Sequence, residues 1–325
     1  MQKKLSNKSK HRDDHHVYGL AKIGFANGTF GELLQGILPN NEHFLVTMPI
    51  SCYSKCIIIP DSSVEDLEVY PPHKTKSLRL AKLILLHFNV RITGRMIIRS
   101  ELEEGKGLAS SSADLVATAR ALEQLLDTVI HPVLLRQFLK VIEPTDGVMY
   151  PGCVAFYHVK VELLEAIGVL PNISIVAIDE GGQVDTIEYN KICRTYLPED
   201  KDEYQRLLTK ISYAIKCGDM KAIGEVATRS AVMNQANNSK KHLQDLIRIC
   251  DKISGLGVIV AHSGTYIGII LDNTEADFDF KQGLAIEMLR EISTSIKVYE
   301  AINHNITGNR AVAFRNDSQH IHGLI

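Results

Sequence analysis

The stretch Gly105–Ala113 reads "GKGLASSSA", and "DLVATARALEQLL" follows it directly. The apolar residues of the second stretch recur at helical spacing, which predicts a helix from about Ser112 to Leu126. The start of a helix leaves backbone N–H groups unpaired and carries the positive end of the helix dipole, so it attracts anions. The glycines let the backbone approach a ligand closely, and Lys106 adds a positive charge. The stretch therefore predicts an anion site at a helix N-terminus.

The three consecutive serines are more than a helix start requires. One serine is enough to cap a helix, and spare hydroxyl groups can bind a phosphate oxygen or a magnesium ion. An ordinary glycine-rich loop with a serine cap is the alternative. The common nucleotide patterns do not fit: Lys106 precedes Gly107, whereas a Walker A loop has the lysine after the glycine, and Ser110 stands where G-x-G-x-x-G needs its third glycine.

The bulk composition indicates a globular protein without a nucleic-acid-binding or membrane-binding surface. Of its 325 residues 45% are hydrophobic and 23% are charged, and the formal net charge is −2. The polar segment 1–16, "MQKKLSNKSKHRDDHH", lacks the apolar core of a signal peptide. The six cysteines are scattered without zinc-site spacing, which indicates buried free thiols in a reducing cytoplasm.

Strand patterns and helical patterns alternate along the chain, and part of the strand pairing is antiparallel, which indicates an α+β fold. We expect a polar tail at 1–16, an N-terminal domain at 17–168 and a C-terminal domain at 169–325. Beyond the serine-rich helix, helices are predicted at about 77–88, 132–141, 199–216, 220–234, 241–254 and 281–293. The strands "GVIVAH" and "YIGIIL" are joined by the short turn "SGT", which predicts a hairpin.

The stretch "EEGKGLASSSA" resembles the phosphate loop of the GHMP kinases, the family of galactokinase, homoserine kinase, mevalonate kinase and phosphomevalonate kinase. The family motif P-x-x-x-G-L-x-S-S-A is matched at Gly107, Leu108, Ser110 and Ser111. Glu103 stands where the family has proline. The loop alone is thus a moderately specific signature.

Two more segments resemble GHMP motifs in the right order. "ANGTFGELLQG" (Ala26–Gly36) resembles the first motif, at the substrate pocket, and "AHSGTYIGII" (Ala261–Ile270) occupies the place of the third, glycine-rich motif. Together with "EPTDG", these segments look most like one branch of the family, the L-threonine kinases of cobalamin side-chain synthesis and propanediol utilisation.

The resemblance implies a two-domain GHMP kinase fold, with an N-terminal domain like ribosomal protein S5 and a ferredoxin-like C-terminal domain. It implies a cytoplasmic enzyme that uses ATP and Mg²⁺ to phosphorylate the side-chain hydroxyl of a small amino acid, with L-threonine as the first candidate. Homoserine, serine or a specialised-metabolite hydroxyl are alternative acceptors, and a catalytically silent nucleotide-binding regulator is a further alternative. A homodimer is among the expectations.

The resemblance also implies site residues for the nucleotide and the metal. Lys106 would stabilise the transferring phosphoryl group. Ser111 would supply the hydroxyl ligand of magnesium, with Ser112 or Ser110 as alternatives, and Glu143 would supply the carboxylate, with Glu123 as the fallback. The residues expected to hold the nucleotide are Gly105, Lys106, Gly107, Leu108, Ala109, Ser110, Ser111 and Ser112.

Asp146 in "EPTDG" matches the position of an aspartate that some GHMP kinases use as the base toward the substrate hydroxyl. Its alternatives are a residue that only orients the substrate and a plain Asp-Gly turn. Glu32 would pair with an amino group, or else begin a helix, and the segment 262–265 would approach the substrate, or else only close a hairpin. The residues expected to face the substrate are Glu32, Gln35, Asp146, His262, Ser263, Gly264 and Thr265.

Overall fold

The structure, a computed structural model, describes residues 21–182 and 196–302. The predicted tail 1–16 lies outside the described residues. The chain is α+β, as predicted, and the described strands form one ten-stranded sheet with helices packed against it. The elements before residue 169 are β1 (Lys22–Ile37), β2 (His43–Pro60), β3 (Leu67–Tyr70), α1 (Thr75–His87), β4 (Gly94–Ser100), α2 (Ser110–Leu126), α3 (Pro132–Lys140), β5 (Cys153–Tyr157) and β6 (Glu162–Gly168).

The second half of the chain adds four strands and four helices among its described residues. They are β7 (Ile173–Asp179), α4 (Pro198–Cys217), α5 (Met220–Asn234), α6 (Leu243–Lys252), β8 (Gly257–Val260), β9 (Tyr266–Asp272), α7 (Phe278–Leu289) and β10 (Ile296–Glu300). The predicted helix 220–234 is confirmed at both ends, and the predicted helix 241–254 is two residues too long at each end. The predicted hairpin is confirmed, because β8 and β9 pair antiparallel.

The sheet is continuous across the predicted domain boundary. Its main path runs β10-β7-β9-β8-β1-β2-β4-β3, and β5 pairs with β2 and β6. Glu32 of β1 pairs with Val260 of β8, and the rings of Phe30, Tyr266 and Tyr299 pack together with centroids 5.1–5.8 Å apart. The two halves therefore share hydrogen bonds and core, and the division at residue 168 stays a prediction.

Strand β1 bends where it meets β8. Its register with β2 shifts after Asn27, after Thr29 and again after Glu32. Gly31 has φ +48°, and a Cβ there would lie 2.4 Å from the carbonyl oxygen of Val260, so the bend needs glycine. The alternative that Glu32 begins a helix is wrong, because this bent strand carries it toward β8.

Helix α2 is buried along most of its length and lies against β1. The approach is close: a Cβ on Gly24 would lie 2.1 Å from the carbonyl oxygen of Ala117. A helix held this tightly has little freedom to shift, since interiors are close-packed. The sheet therefore fixes the position of the serine run at the start of α2.

The predicted burial of the cysteines is confirmed for three of the described thiols. Cys56, Cys153 and Cys250 are buried, Cys52 is partly exposed and Cys217 is exposed at the end of α4. The sixth cysteine, Cys193, lies outside the described residues. Within the described residues, no helix is both long enough and apolar enough to cross a membrane.

Candidate active site

A pocket opens where the loop before α2 faces the start of α1 and the segment 143–146. Glu32 of β1, His158 and the turn between β8 and β9 complete its wall. The pocket thus gathers side chains from both halves of the chain around one helix N-terminus. Its lining includes the three serines of the "GKGLASSSA" stretch, Ser110, Ser111 and Ser112, together with Glu143 and Asp146.

The start of α2 is shaped by backbone conformation, and no serine caps it. The helix begins at Ser110, two residues before the predicted start, and Ala109 precedes it in the left-handed conformation with φ +56°. No side chain caps this end, so the alternative of a serine cap is wrong. The backbone of Gly31 and Thr29 donates hydrogen bonds to Gly107 O and Leu108 O, which pins the loop on β1. All three hydroxyl groups are therefore left for other partners.

Ser112 and Asp146 form one hydrogen-bonded unit. Ser112 Oγ lies 3.2 Å from Asp146 Oδ2, accepts from the backbone N of Asp146 at 3.0 Å and accepts from Thr145 Oγ1 at 2.8 Å. Burial first, and the charge of Glu143 in addition, raise the pKa of Asp146 to about 6 against the lowering effect of the bond from Ser112. A carboxylate poised near neutral pH suits a general base, which keeps the predicted role of Asp146 open.

Ser111 and Glu143, the pair predicted to bind magnesium, are in direct contact. Ser111 Oγ donates to Glu143 Oε1, and Lys76 Nζ lies 2.5 Å from Glu143 Oε2. The fallback carboxylate, Glu123, is not in the pocket wall; it accepts from the backbone N of Ile130 at 2.8 Å and so closes the end of α2. The geometry therefore favours Glu143 over Glu123.

This donor set suits magnesium, which prefers hard oxygen ligands and keeps several of its sites for water and phosphate. A hydroxyl and one carboxylate are enough protein ligands for an ion of that kind. No group of three or more histidine, cysteine, aspartate or glutamate side chains in the described part of the chain is arranged to hold a metal alone. A metal at Ser111 and Glu143 would therefore fill its other coordination positions with water or with phosphate oxygens.

Lys106 is directed away from the pocket. Its Nζ lies 2.5 Å from Asp179 Oδ2 and 2.7 Å from Gly182 O, both in the second half of the chain. Asp179 Oδ1 also accepts from Thr265 Oγ1 at 2.5 Å, and these bonds lower the pKa of Asp179 against its desolvation. In this structure Lys106 joins the loop to β7, and its predicted contact with the phosphoryl group stays a prediction.

Glu32 lines the pocket, and one of its carboxylate oxygens has no hydrogen-bond partner. The side chain is 5% exposed, and its Oε2 has no hydrogen-bond partner. Burial, with the charge of Asp146 second, raises the pKa of Glu32 well above its usual value, whereas the backbone N–H of His262 and the charge of Lys240 lower it. Such a group calls for a cation or a donor from the ligand.

The other residues predicted to face the substrate divide into two groups. Gln35 Oε1 lies 2.7 Å from His262 Nδ1, and His262 and Ser263 line the pocket. Gly264 and Thr265 instead pack on the loop: a Cβ on Gly264 would lie 2.1 Å from Lys106 O, and Thr265 N donates to Lys106 O at 3.2 Å. The turn thus supports the loop before α2 as well as approaching the pocket.

Several pocket residues carry no clear signal in the sequence. Lys74 and Lys76 flank the start of α1, and Lys74 Nζ lies 2.6 Å from Asp114 Oδ2 and 2.5 Å from Glu104 Oε1. His158 also lines the pocket. The only hint in the sequence is the pair of lysines in "HKTKS" directly before a helical pattern, where a charge can reach the helix N-terminus.

Glu103, which replaces the proline of the family motif, has a structural partner. Its carboxylate contacts Lys297 of β10, and Tyr266 Oη lies 3.5 Å from Glu103 Oε2. The departure from the motif therefore adds a contact between the loop and the second half of the chain.

Comparison with known proteins relates the chain to kinases. The family described as "GHMP kinases N terminal domain" matches residues 76–153. The L-threonine kinase of Citrobacter freundii is 27% identical over 255 residues, which is 77% of this chain and 86% of that protein. The L-threonine kinase of Salmonella typhimurium is 26% identical over 265 residues, 79% of this chain and 85% of that protein.

Solved structures share the fold at low sequence identity. The homoserine kinase of Cytophaga hutchinsonii superposes with a TM-score of 0.69 at 13% identity, covering 93% of this chain and 98% of that one. The mevalonate kinase of L. major gives a TM-score of 0.64 at 16% identity, covering 88% of this chain and 97% of that one.

Fold and site together define a small-molecule kinase, an enzyme that transfers a phosphoryl group to a hydroxyl. The resemblance to the GHMP kinases, which take the phosphoryl group from ATP, is confirmed by the match to their N-terminal domain and by the two related kinases.

Proposed function

We propose that this kinase transfers the γ-phosphoryl group of ATP to the side-chain hydroxyl of L-threonine, with Mg²⁺ held by Ser111 and Glu143. The observation that carries the proposal is the meeting of Asp146, Glu32 and the serine run in one pocket. The names of the two relatives, both L-threonine kinases, support this acceptor. The fold alone also suits homoserine, since a homoserine kinase shares it.

Residues of the chain take up the proton of the acceptor hydroxyl and orient the acceptor. The threonine oxygen forms a bond to the γ-phosphorus, the bond from that phosphorus to the bridging oxygen breaks, and its electron pair leaves on ADP. Asp146 takes the hydroxyl proton, and Ser112 holds the carboxylate in place. The bound metal would neutralise charge on the phosphate oxygens. The backbone N–H groups at the start of α2 supply further positive charge.

Glu32 is the proposed partner of the acceptor's α-ammonium group. A buried carboxylate with an unpartnered oxygen gains from a cation that replaces water, and the α-ammonium of an amino acid supplies one. Acceptors that lack this group leave Glu32 unsatisfied. The proposal therefore predicts a preference for amino acids over simple hydroxy acids.

The acceptor is tested with a panel of L-threonine, L-homoserine, L-serine and 3-hydroxybutyrate in an assay coupled to ADP release. We expect the highest kcat/KM with L-threonine, and phosphothreonine identified by mass spectrometry. A higher kcat/KM for homoserine or serine would transfer the proposal to that acceptor. Binding of MgATP without ADP formation from any amino acid would contradict it and support a nucleotide-binding regulator.

The role of Glu32 is tested with Glu32→Gln. Loss of a charged hydrogen bond of about 1.5–3 kcal/mol predicts that KM for L-threonine rises about 10- to 100-fold. The activity with 3-hydroxybutyrate, which has no ammonium group, should change little. The matched control is Glu225→Gln, whose carboxylate pairs with Lys210 at the surface of α5. An equal loss of activity with both acceptors would show that Glu32 does not bind the ammonium group.

Three further predictions complete the proposal. They are a cytoplasmic location, a link to cobalamin side-chain synthesis and a homodimer. The gene neighbourhood tests the pathway, and light scattering tests the oligomeric state.

A further inference from the structure

Both carboxylate oxygens of Glu143 have a partner within the chain. Ser111 donates to Oε1, and the ammonium of Lys76 lies 2.5 Å from Oε2. We propose that Lys76 exchanges partners during the catalytic cycle: it neutralises Glu143 while the metal site is empty, and it moves to the triphosphate when Glu143 binds the metal. This inference rests on the proposed function, because it needs a metal at Glu143.

Glu143 needs a cation at all times. Its side chain is 5% exposed, and a carboxylate taken out of water without a counter-charge is costly. Lys76 supplies that charge in this structure. A divalent ion and an ammonium on the same carboxylate would repel each other, so loading of the metal weakens the contact of Lys76 with Glu143.

Lys76 is able to move, whereas its neighbours are held. Its side chain is 43% exposed at the start of α1, and four methylene groups give its ammonium a wide reach. Lys74 is 12% exposed and lies between Asp114 and Glu104. Lys106 is 13% exposed and bound to Asp179.

The excess of carboxyl groups in the pocket wall favours the movement of Lys76 to the triphosphate. The pocket wall carries five carboxyl groups and two lysines, namely Glu32, Glu104, Asp114, Glu143 and Asp146 with Lys74 and Lys76. A triphosphate entering such a wall needs added positive charge, and Lys76 is the lysine that the metal would displace from Glu143. The start of α1 at Thr75 also favours an anion beside it.

The test compares two binding measurements on Lys76→Met. Mn²⁺ binding without nucleotide, followed by electron paramagnetic resonance, should become about 3- to 10-fold tighter, because the competing ammonium is gone. Binding of a non-hydrolysable ATP analogue with Mg²⁺ should become about 10-fold weaker, because a charge-assisted contact is lost. Opposite signs are the signature of an exchange, since damage to the fold would weaken both.

Two controls complete the design. Lys82→Met removes a lysine from the same helix, where it pairs with Asp66 at the surface, and should leave both affinities unchanged. Lys76→Gln repeats the test with a polar side chain in case the methionine variant does not fold. Unchanged or weaker Mn²⁺ binding, or unchanged analogue binding, in a folded Lys76 variant would overturn the inference.

Failure of the proposed function has a different signature. In that case the wild-type protein itself would fail to bind the analogue, or Glu143→Gln would bind Mn²⁺ as the wild type does. Wild-type binding that depends on Glu143 but not on Lys76 would overturn the exchange alone and leave the metal site in place.

Discussion

Asp146→Asn is expected to lower kcat/KM about 10²- to 10⁴-fold, the range typical of a lost general base. The amide keeps the size of the side chain and can stay beside Ser112, which lies 3.2 Å from Asp146 Oδ2. It cannot accept the proton of the acceptor hydroxyl. Steady-state kinetics on the folded variant measure the effect, and near-full turnover would reduce Asp146 to a residue that orients the substrate.

The pH profile gives this prediction a second readout. A base acts in its ionised form, so wild-type kcat/KM should rise with pH through about 6, where burial places the pKa of Asp146, and level off above it. Asp146→Asn should lose this limb. A variant with the same limb as the wild type would assign the ionisation to another group, such as Glu32, whose pKa is also raised by burial.

The same raised pKa predicts a gain in stability. Folding raises the pKa of Asp146 from 3.8 to about 6, so ionisation costs the folded state stability as pH rises through that window. Asp146→Asn should therefore melt at a higher temperature than the wild type above pH 6, and the difference should shrink toward pH 4. Asp61→Asn is the control of opposite sign, since hydrogen bonds from Ser63 lower the pKa of Asp61.

The parts of this site that follow from sequence are those where one short segment carries its own chemistry. The serine run could be selected because its hydroxyl groups stand at a helix start, and Glu143 and Asp146 were added through the resemblance of this region to the GHMP kinases. The structure brings them into one pocket, and Ser111 touches Glu143 as the metal prediction requires. Helix α5 was likewise predictable, because its apolar period is regular and Asp219 caps its start.

The parts that sequence could not give depend on partners far along the chain. Lys106 looks like a phosphate ligand in its loop, yet its ammonium meets Asp179, which is 73 residues away. Lys76 looks like a surface lysine of α1, and its partner Glu143 is 67 residues away. Glu32 resembles a helix start until Gly31 and Val260 show the bend that keeps it in a strand. In each case a contact with a distant part of the chain, and not the local sequence, decides the position of the side chain.

Gly264→Ala tests whether the turn between β8 and β9 sets the position of the phosphate loop. A Cβ at this position would lie 2.1 Å from Lys106 C and O and 2.3 Å from Gly107 N, all of them backbone atoms. Backbone cannot rotate aside, so the turn and the loop must separate. Forcing a methyl group into a closed contact costs about 1–3 kcal/mol, and we expect a lower melting temperature together with weaker binding of the ATP analogue.

Gly283→Ala makes the same chemical change where nothing lies in the way. Gly283 is exposed in α7, and apart from its own helix turn nothing lies within 4 Å of a Cβ built there. Alanine in a helix interior is favoured over glycine by about 0.5–1 kcal/mol, so this control should stabilise the chain and leave nucleotide binding unchanged. If Gly264→Ala were as harmless as Gly283→Ala in both measurements, the loop would owe its position to β1 alone, through Gly31 and Thr29. If stability fell but nucleotide binding did not, the turn would support the fold without shaping the site.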